Sequence, residues 1–311
     1  MKIICGVDVS KAKLDACIEP GGIHASFDND AAGIAALAAF CRGHRAELVV
    51  MEASGGYERQ AFLLLWELGM PCGLTNPRSV RRYAEAMGIL EKTDRLDGSV
   101  IAQFGVAKKI KPTPAPSPQQ QRLKALVARL RQVTDDLTVQ KQRRSAAADA
   151  ETLASLNEVI ALLKRQSRTL ESEIAGMIDD DPLWATLAKA FRSVKGVADR
   201  TVARLMAELP EIGIYSNKAI AKLVGLAPLA DDSGTRQGKR RIRGGRASVR
   251  WILFLVARTA SRFDPSLADF HRRLLAAGKE KMVARIALAH KLLVRLNAKA
   301  RDARIAFANA T

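Results

Sequence analysis

Cysteine and histidine are scarce in this chain, with four of each among 311 residues. Cys5, Cys17, Cys41 and Cys72 form no CxxC pair, so neither a zinc site nor a disulfide framework is expected. Long hydrophobic runs are missing as well. The apolar start of MKIICGVDVSK is too short for a signal sequence, and no stretch approaches 18 apolar residues. We therefore expect a reduced, cytoplasmic protein without a membrane partner.

Aromatic and acidic residues are also in short supply. Aromatics make up 5% of the chain, which argues against base stacking as the main way of recognising a ligand. Lys and Arg number 50 against 32 Asp and Glu, giving a formal charge of +18. Residues 184–311 carry +17 of that excess, whereas residues 1–183 carry +1. This asymmetry predicts that a polyanion, most commonly nucleic acid, binds the C-terminal part.

The order of predicted elements indicates three regions. Residues 1–110 read as α/β, with three strands followed by alternating helices and strands, which favours a mixed sheet covered by helices. Residues 111–182 begin with the proline-rich KPTPAPSPQ and continue as a helical coiled-coil arm. The arm is predicted from two stripes of mostly apolar residues at spacings of three and four: Leu123, Leu126, Leu130, Val133 and Leu137, then Val159, Leu162, Leu163, Gln166, Leu170 and Ile174. The arm is expected to act as a spacer and oligomerisation element. Residues 183–311 read as a basic, mainly helical domain.

Four acidic residues stand out in the first region. Asp8 and Glu52 end apolar strands, where an unpaired charge is costly. Asp94 and Asp97 are three residues apart at a helix start and therefore share one face. Four such carboxylates suit a two-metal site for Mg²⁺ acting on phosphodiesters. Each acid alone has a simpler explanation: Asp94 could cap its helix, and Glu52 could pair with an arginine.

A Gly/Arg loop, residues 231–246, is the second candidate site. Its glycines allow close backbone approach and its cations suit phosphate oxygens. Ser233 could contact phosphate or act as a nucleophile, but no histidine lies nearby to activate it, so composition alone favours a backbone-binding loop. A glycine-containing turn at 193–198 could bind phosphate through helix amides or simply connect two helices. The predicted nucleic-acid-binding residues are Lys195, Arg236, Lys239, Arg240, Arg241, Arg243, Arg246 and Arg250.

Together these motifs resemble a known family. GVDVSK around Asp8, MEASGGYE around Glu52 and KTDRLDG around Asp94 and Asp97 are similar to DEDD transposases and Piv-type DNA invertases, the insertion-sequence family numbered one hundred and ten. SVKGVADRTVARLMAEL and AIAKLVGLAPLADDSGTRQGKRRIRGGRASVR resemble that family's C-terminal transposase domain. One departure is Gly98, which follows Asp97 where the family usually has Ala.

The resemblance implies an RNase H-like, RuvC-like first domain whose four acids, here Asp8, Glu52, Asp94 and Asp97, bind Mg²⁺. It also implies a prokaryotic, nucleoid-associated recombinase that forms a phosphoserine link to donor and target DNA through Ser233. Homodimers or homotetramers and a structured guide RNA belong to the same expectation. We further expect Ser233 and the acids to lie apart in one chain and to meet across protomers.

Two other functions remain open at this level. A RuvC-like structure-specific nuclease would use water and need no serine. A non-catalytic, nucleic-acid-binding relic of a transposase would keep the basic domain alone. The presence of all four acids favours an active enzyme over the relic.

Overall fold

The computed structural model describes residues 2–53, 55–89, 94–235 and 238–310, and the side chains of residues 94–96 lie outside that description. The chain divides into two compact units, Met1–Pro116 and Ser117–Thr311. This boundary falls within the proline-rich segment that the sequence predicts as a linker. The finer division into 1–110, 111–182 and 183–311 stays a prediction.

The N-terminal unit is built on a five-stranded mixed sheet with the strand order β3-β2-β1-β4-β5. The strand β1 pairs antiparallel with β2, which pairs antiparallel with β3, whereas β1, β4 and β5 run parallel. The strands are β1 (Ile4–Val9), β2 (Lys13–Glu19), β3 (Ile23–Asp28), β4 (Leu48–Glu52) and β5 (Cys72–Thr75). The predicted α/β class of this unit is therefore confirmed.

Helices cover both faces of this sheet. One face packs against α1 (Ala31–Gly43) and α2 (Glu58–Glu67), and the other against α3 (Pro77–Ala86) and α4 (Asp94–Lys108). The start of α1 is fixed by Asp30, whose side chain accepts a hydrogen bond of 2.8 Å from the Gly33 amide. All four cysteines are fully buried here. Burial raises the pKa of Cys72 to about 12, and a hydrogen bond with Cys41 together with burial raises that of Cys5.

The C-terminal unit begins with a helical hairpin, α5 (Pro118–Ala146) and α6 (Ala150–Asp180). The apolar stripe predicted on α5 is confirmed at Leu123, Leu126, Leu130 and Val133, which are buried, whereas Leu137 at its end is half-buried. The stripe predicted on α6 was partly wrong, because Val159 and Leu162 are exposed. The buried positions of α6 include Ile160, Ser167 and Ile174, and their seven-residue spacing is that of a coiled-coil seam.

Six further helices, counted over the part of the unit that the structure describes, pack around one apolar core. Leu123 and Ile178, from the base of the hairpin, share that core with residues of the later helices, so the hairpin is anchored in the unit. Among the described residues, no helix is both long and apolar enough to cross a membrane. The six helices are α7 (Pro182–Arg192), α8 (Asp199–Glu208), α9 (Asn217–Val224), α10 (Ala247–Phe263), α11 (Pro265–Ala276) and α12 (Lys281–Ala310).

Candidate active site and nucleic-acid interface

Asp8 and Glu52 occupy neighbouring positions at the same edge of the sheet. Val7 of β1 lies beside Met51 of β4 in a parallel pair, and Asp8 and Glu52 are the next residues along each strand. Side chains alternate between faces along a strand, so both carboxylates point to the face that α3 and α4 cover. Both residues are half-buried. The prediction of a shared site requires this common face.

The helix α4 lies very close to that face because glycine permits it. A Cβ placed on Gly6 would stand 2.2 Å from the Gly98 carbonyl oxygen and 2.3 Å from the Ala102 amide nitrogen. Gly98 in turn lies against β2, where an added Cβ would stand 3.0 Å from the Asp15 carbonyl oxygen. The first turns of α4 are thus held over β1 and β2. Asp97, half-buried, immediately precedes Gly98 on this helix.

The metal-binding prediction concerns four side chains, of which the structure describes three. The backbone of Asp94 begins α4, but its side chain lies outside the described residues. Among the described side chains, no three Asp, Glu, His or Cys residues come close enough to hold one metal ion. Convergence of all four acids therefore stays a prediction. Their donor set, made only of carboxylate oxygens, is the kind that Mg²⁺ prefers.

Asp15 is a carboxylate that sequence reasoning missed. It lies directly opposite Asp8 in the antiparallel pair of β1 and β2, so the two side chains share a face. Glu52, on the far side of β1 from β2, pairs with Thr75 of β5. The sequence KLDACIE does show an acid between two apolar residues of a strand, and in the structure Leu14 and Ala16 are buried while Asp15 is half-buried. Only the pairing register shows which acid it faces.

The Gly/Arg loop folds back on itself and presents Ser233 to solvent. Its base is closed by two backbone hydrogen bonds between Leu229 and Arg241, of 3.0 and 3.3 Å. Farther along, the Gly238 amide donates to the Asp232 carboxylate at 3.1 Å. Ser233 is exposed beyond these contacts and precedes Gly234, whose φ is +54°. Arg236, predicted to bind nucleic acid, lies outside the described residues.

Arg246 and Arg250 hold the end of the loop against α9. Arg246 makes two hydrogen bonds to the Glu211 carboxylate, of 2.6 and 2.5 Å, and a third of 2.9 Å to the Glu208 carbonyl. Arg250 donates to the carbonyl oxygens of Gly244 and Val224, at 2.6 and 3.2 Å. Both residues were predicted to bind nucleic acid. The partners of Arg246 favour a positioning role for it. Among the described residues, the hydrogen bonds of Arg250 go to neutral carbonyl oxygens.

The remaining predicted cations that the structure describes are exposed to solvent. They do not all lie in one place. Lys195 precedes Gly196, which packs against α10 at Ala260, where an added Cβ would stand 2.7 Å from the Cα atom. The Gly/Arg loop enters α10 at its opposite end. At 1.5 Å per residue, these two positions are about 20 Å apart along the helix. The exposed cations are Lys195, Lys239, Arg240, Arg241 and Arg243.

Comparisons with known proteins match both units. Residues 5–152 match the DEDD-type IS110 family described as "Transposase". Residues 188–272 match the family described as "Transposase IS116/IS110/IS902 family". These two matches cover separate parts of the chain, in the order that the sequence motifs predict.

Individual relatives extend these matches over most of the chain. The pilin gene-inverting proteins of Moraxella lacunata and Moraxella bovis are each 25% identical over 305 residues, covering 94% of this chain and 94% of theirs. An uncharacterized 43.6 kDa protein of insertion element IS110 from Streptomyces coelicolor is 31% identical over 150 residues, covering 48% of this chain and 36% of its own. The Thermus thermophilus RuvC structure aligns at 15% identity and a TM-score of 0.27, covering 36% of this chain and 99% of that one.

Proposed function

Because the chain belongs to the IS110 family of DEDD transposases, we propose that it cuts and rejoins DNA through its acidic residues and Ser233 together. The observation that carries this proposal is the placement of Asp8 beside Glu52, beneath the helix that carries Asp94 and Asp97. Transposition and DNA inversion both use such cutting and rejoining, and the relatives named as pilin gene-inverting proteins make inversion an equal candidate for the overall outcome.

The acids are proposed to hold a divalent metal ion, which membership of a DEDD nuclease family implies. We propose Mg²⁺, because Asp8, Glu52, Asp94 and Asp97 offer only hard oxygen ligands. When bound, such an ion makes a hydroxyl more acidic and offsets charge on a phosphate. Asp8 and Glu52 would anchor it from the sheet, and α4 would bring the other two carboxylates. Asp15, opposite Asp8, would add a further oxygen ligand or orient a bound water.

Ser233 is proposed to form the covalent link with DNA. Its Oγ would attack the scissile phosphorus, lose its proton, and form a new P–O bond, while the bond from phosphorus to the leaving DNA oxygen breaks and that oxygen takes up a proton. Attack by a DNA hydroxyl on the phosphoserine would reverse these changes and rejoin the strand. The exposed Lys239, Arg240 and Arg243 would offset the charge that develops at phosphorus.

A complementation assay tests both parts of this proposal. Ser233→Ala and Asp8→Ala proteins should each be inactive, and mixed oligomers should regain strand exchange if the two groups meet across protomers. A covalent protein–DNA adduct should form only on the chain that retains Ser233. Ser266→Ala, which alters another exposed serine, is the control and should keep full activity. Cleavage that persists in Ser233→Ala would instead indicate a nuclease that uses water.

Oligomerisation and RNA guidance complete the proposal. The hairpin of α5 and α6 exposes Val139, Val159 and Leu162, whose apolar side chains suit packing against a second hairpin. Replacing all three with Gln should lower the dimer fraction in sedimentation. A guide RNA is proposed from the family resemblance and is tested by whether a defined, structured RNA copurifies with the protein. Activity in the prokaryotic cytoplasm, at the nucleoid, follows from this role.

A further inference from the structure

An exposed apolar groove lies between α10 and the start of α12. Trp251 and Phe254 line it from α10, and Met282 and Ile286 line it from α12. Its volume is about 430 Å³. Trp251 is 58% exposed, although large apolar side chains are usually buried. The Phe254 ring stacks on the indole at a centroid distance of 5.9 Å and an interplanar angle of 19°, which supports one side of it.

One cation lines this groove and other exposed cations lie on the same two helices, together with one exposed acid, Glu280, just before α12. Arg250 lines it together with Ala247, and its hydrogen bonds go to neutral carbonyl oxygens. Arg258 is exposed seven residues after Trp251, on the same side of α10, and Lys281 is exposed at the start of α12. None of the six lining residues is acidic. The Gly/Arg loop enters α10 at the end where Trp251 lies.

We propose that this groove binds one unpaired base of DNA, with Trp251 as the stacking surface. The proposal rests on the DNA-binding role proposed above and adds a site for a base to a region otherwise suited to phosphates. An indole supported on one side offers its other side to a base, because every base has a π-face. Arg250 and the neighbouring loop would hold the phosphates on either side of that base.

The charge and size of the groove favour DNA over a protein partner. A stable protein interface uses about 20–30 residues on each side, whereas six residues line this groove. Arg250 in the lining, within a unit that carries most of the chain's excess positive charge, suits a polyanion better than an apolar protein surface. Strand exchange also requires bases to leave their pairs, so an unpaired base is available during the proposed reaction.

Fluorescence anisotropy with two DNA duplexes tests the site. One duplex is fully paired, and the other has the same sequence with a single unpaired thymine. Trp251→Ala should weaken binding of the second by about 5- to 150-fold, which corresponds to the loss of one stacked base. Binding of the paired duplex should not change. Trp251→Phe should keep most of the affinity, because it retains an aromatic face.

Two controls separate stacking from structural damage. Phe263→Ala removes another aromatic side chain of α10 that is also 58% exposed but lies outside the groove, and it should have no effect. Replacing the unpaired thymine with an abasic site should weaken binding by wild type but not by Trp251→Ala, because the two changes remove the same contact.

The possible failures are distinguishable. If wild type binds the paired duplex but gains nothing from the unpaired base, the groove proposal is wrong and the proposed function stands. If Trp251→Ala weakens both duplexes equally, or instead changes the oligomeric state in sedimentation, the groove does not bind a base. If wild type binds neither duplex, both proposals fail.

Discussion

The two units hold their candidate sites in different ways. In the N-terminal unit, Asp8 and Asp97 are positioned by close packing, with Gly6 and Gly98 letting a helix approach the sheet. In the C-terminal unit, the Gly/Arg loop is tied down by arginines that bind carboxylates and carbonyl oxygens. Seven of the nine salt bridges among the described residues lie in the second unit. Steric changes should therefore damage the first site most, and charge changes the second.

The largest effect is expected at Gly6. Gly6→Ala should destabilise the protein by about 3 kcal/mol or more, because its Cβ would collide with backbone atoms of α4 that cannot move independently. Chemical denaturation followed by circular dichroism measures this loss. Gly43→Ala is the matched control, because a Cβ there meets nothing within 4 Å, and it should be neutral or slightly stabilising. Equal stability of the two variants would show that α4 is not held by this contact.

A smaller loss of stability is expected at Arg246. Arg246→Ala should cost about 1–2 kcal/mol, because it leaves the largely buried Glu211 carboxylate without its two hydrogen bonds. Thermal unfolding measures it. Arg240→Ala, at an exposed position, should leave stability unchanged but lower DNA affinity. It should also make the slope of log K against log salt shallower by about 1, because one phosphate contact is lost. The reverse pattern would mean that Arg246 binds DNA and does not support the loop.

Acid should weaken the C-terminal unit through Asp264. Burial acts to raise the pKa of this carboxyl, but hydrogen bonds from the Leu267 amide and Arg295 outweigh it and keep the pKa below its ordinary value. A lowered pKa stabilises the fold above the unfolded value of about 3.9, and the stabilisation is lost as pH falls through the folded value. Asp264→Asn should flatten this part of the stability curve measured by denaturation between about pH 2 and 7.

The control for this acid effect is Asp269→Asn. Asp269 pairs with Arg272 on an exposed part of α11, where an ion pair contributes little. Its stability curve should follow that of wild type. A wild-type curve that is flat between about pH 2 and 4 would show that Asp264 does not contribute.

The smallest effect is expected at Gly98. Gly98→Ala should change stability by less than about 1 kcal/mol, because the gain in helix propensity opposes a tight approach of 3.0 Å to the Asp15 carbonyl oxygen. Denaturation beside Gly6→Ala makes the comparison direct. A loss as large as that of Gly6→Ala would mean that β2 cannot give way and that glycine is required at both positions.

The sequence predicted the order and type of the N-terminal elements well, for clear physical reasons. The apolar, β-branched strand ICGVDV and the alanine-rich helix AAGIAALAAFCRG, which ends at Gly43, have compositions that local propensities recognise. The common face of Asp8 and Glu52 follows from two parallel strands that end together. Such features depend on a few neighbouring residues and on a single repeat period.

Other features depended on pairing between distant segments. Asp15 lies beside the candidate metal-binding acids only because the pairing register of β1 and β2 puts it opposite Asp8, and no local pattern specifies that register. The sequence analysis treated Arg246 and Arg250 as free cations, because nothing in the local sequence indicates their hydrogen bonds to Glu211 and to the Gly244 carbonyl. The sequence around Trp251 predicts only a helix, because the groove beside it is formed together with residues of α12, which are distant in the chain. Tertiary contacts decide each of these cases.

The complete burial of the cysteines has a practical consequence for following this protein in action. An exposed thiolate is the nucleophile that attacks a thiol reagent, but all four native sulfur atoms are shielded by the sheet and its helices. A cysteine introduced at an exposed position, such as Ser266, would then be the one site that a maleimide dye labels in the folded protein. The native sequence can therefore carry single fluorophores for distance measurements during strand exchange, without first replacing any of its own cysteines.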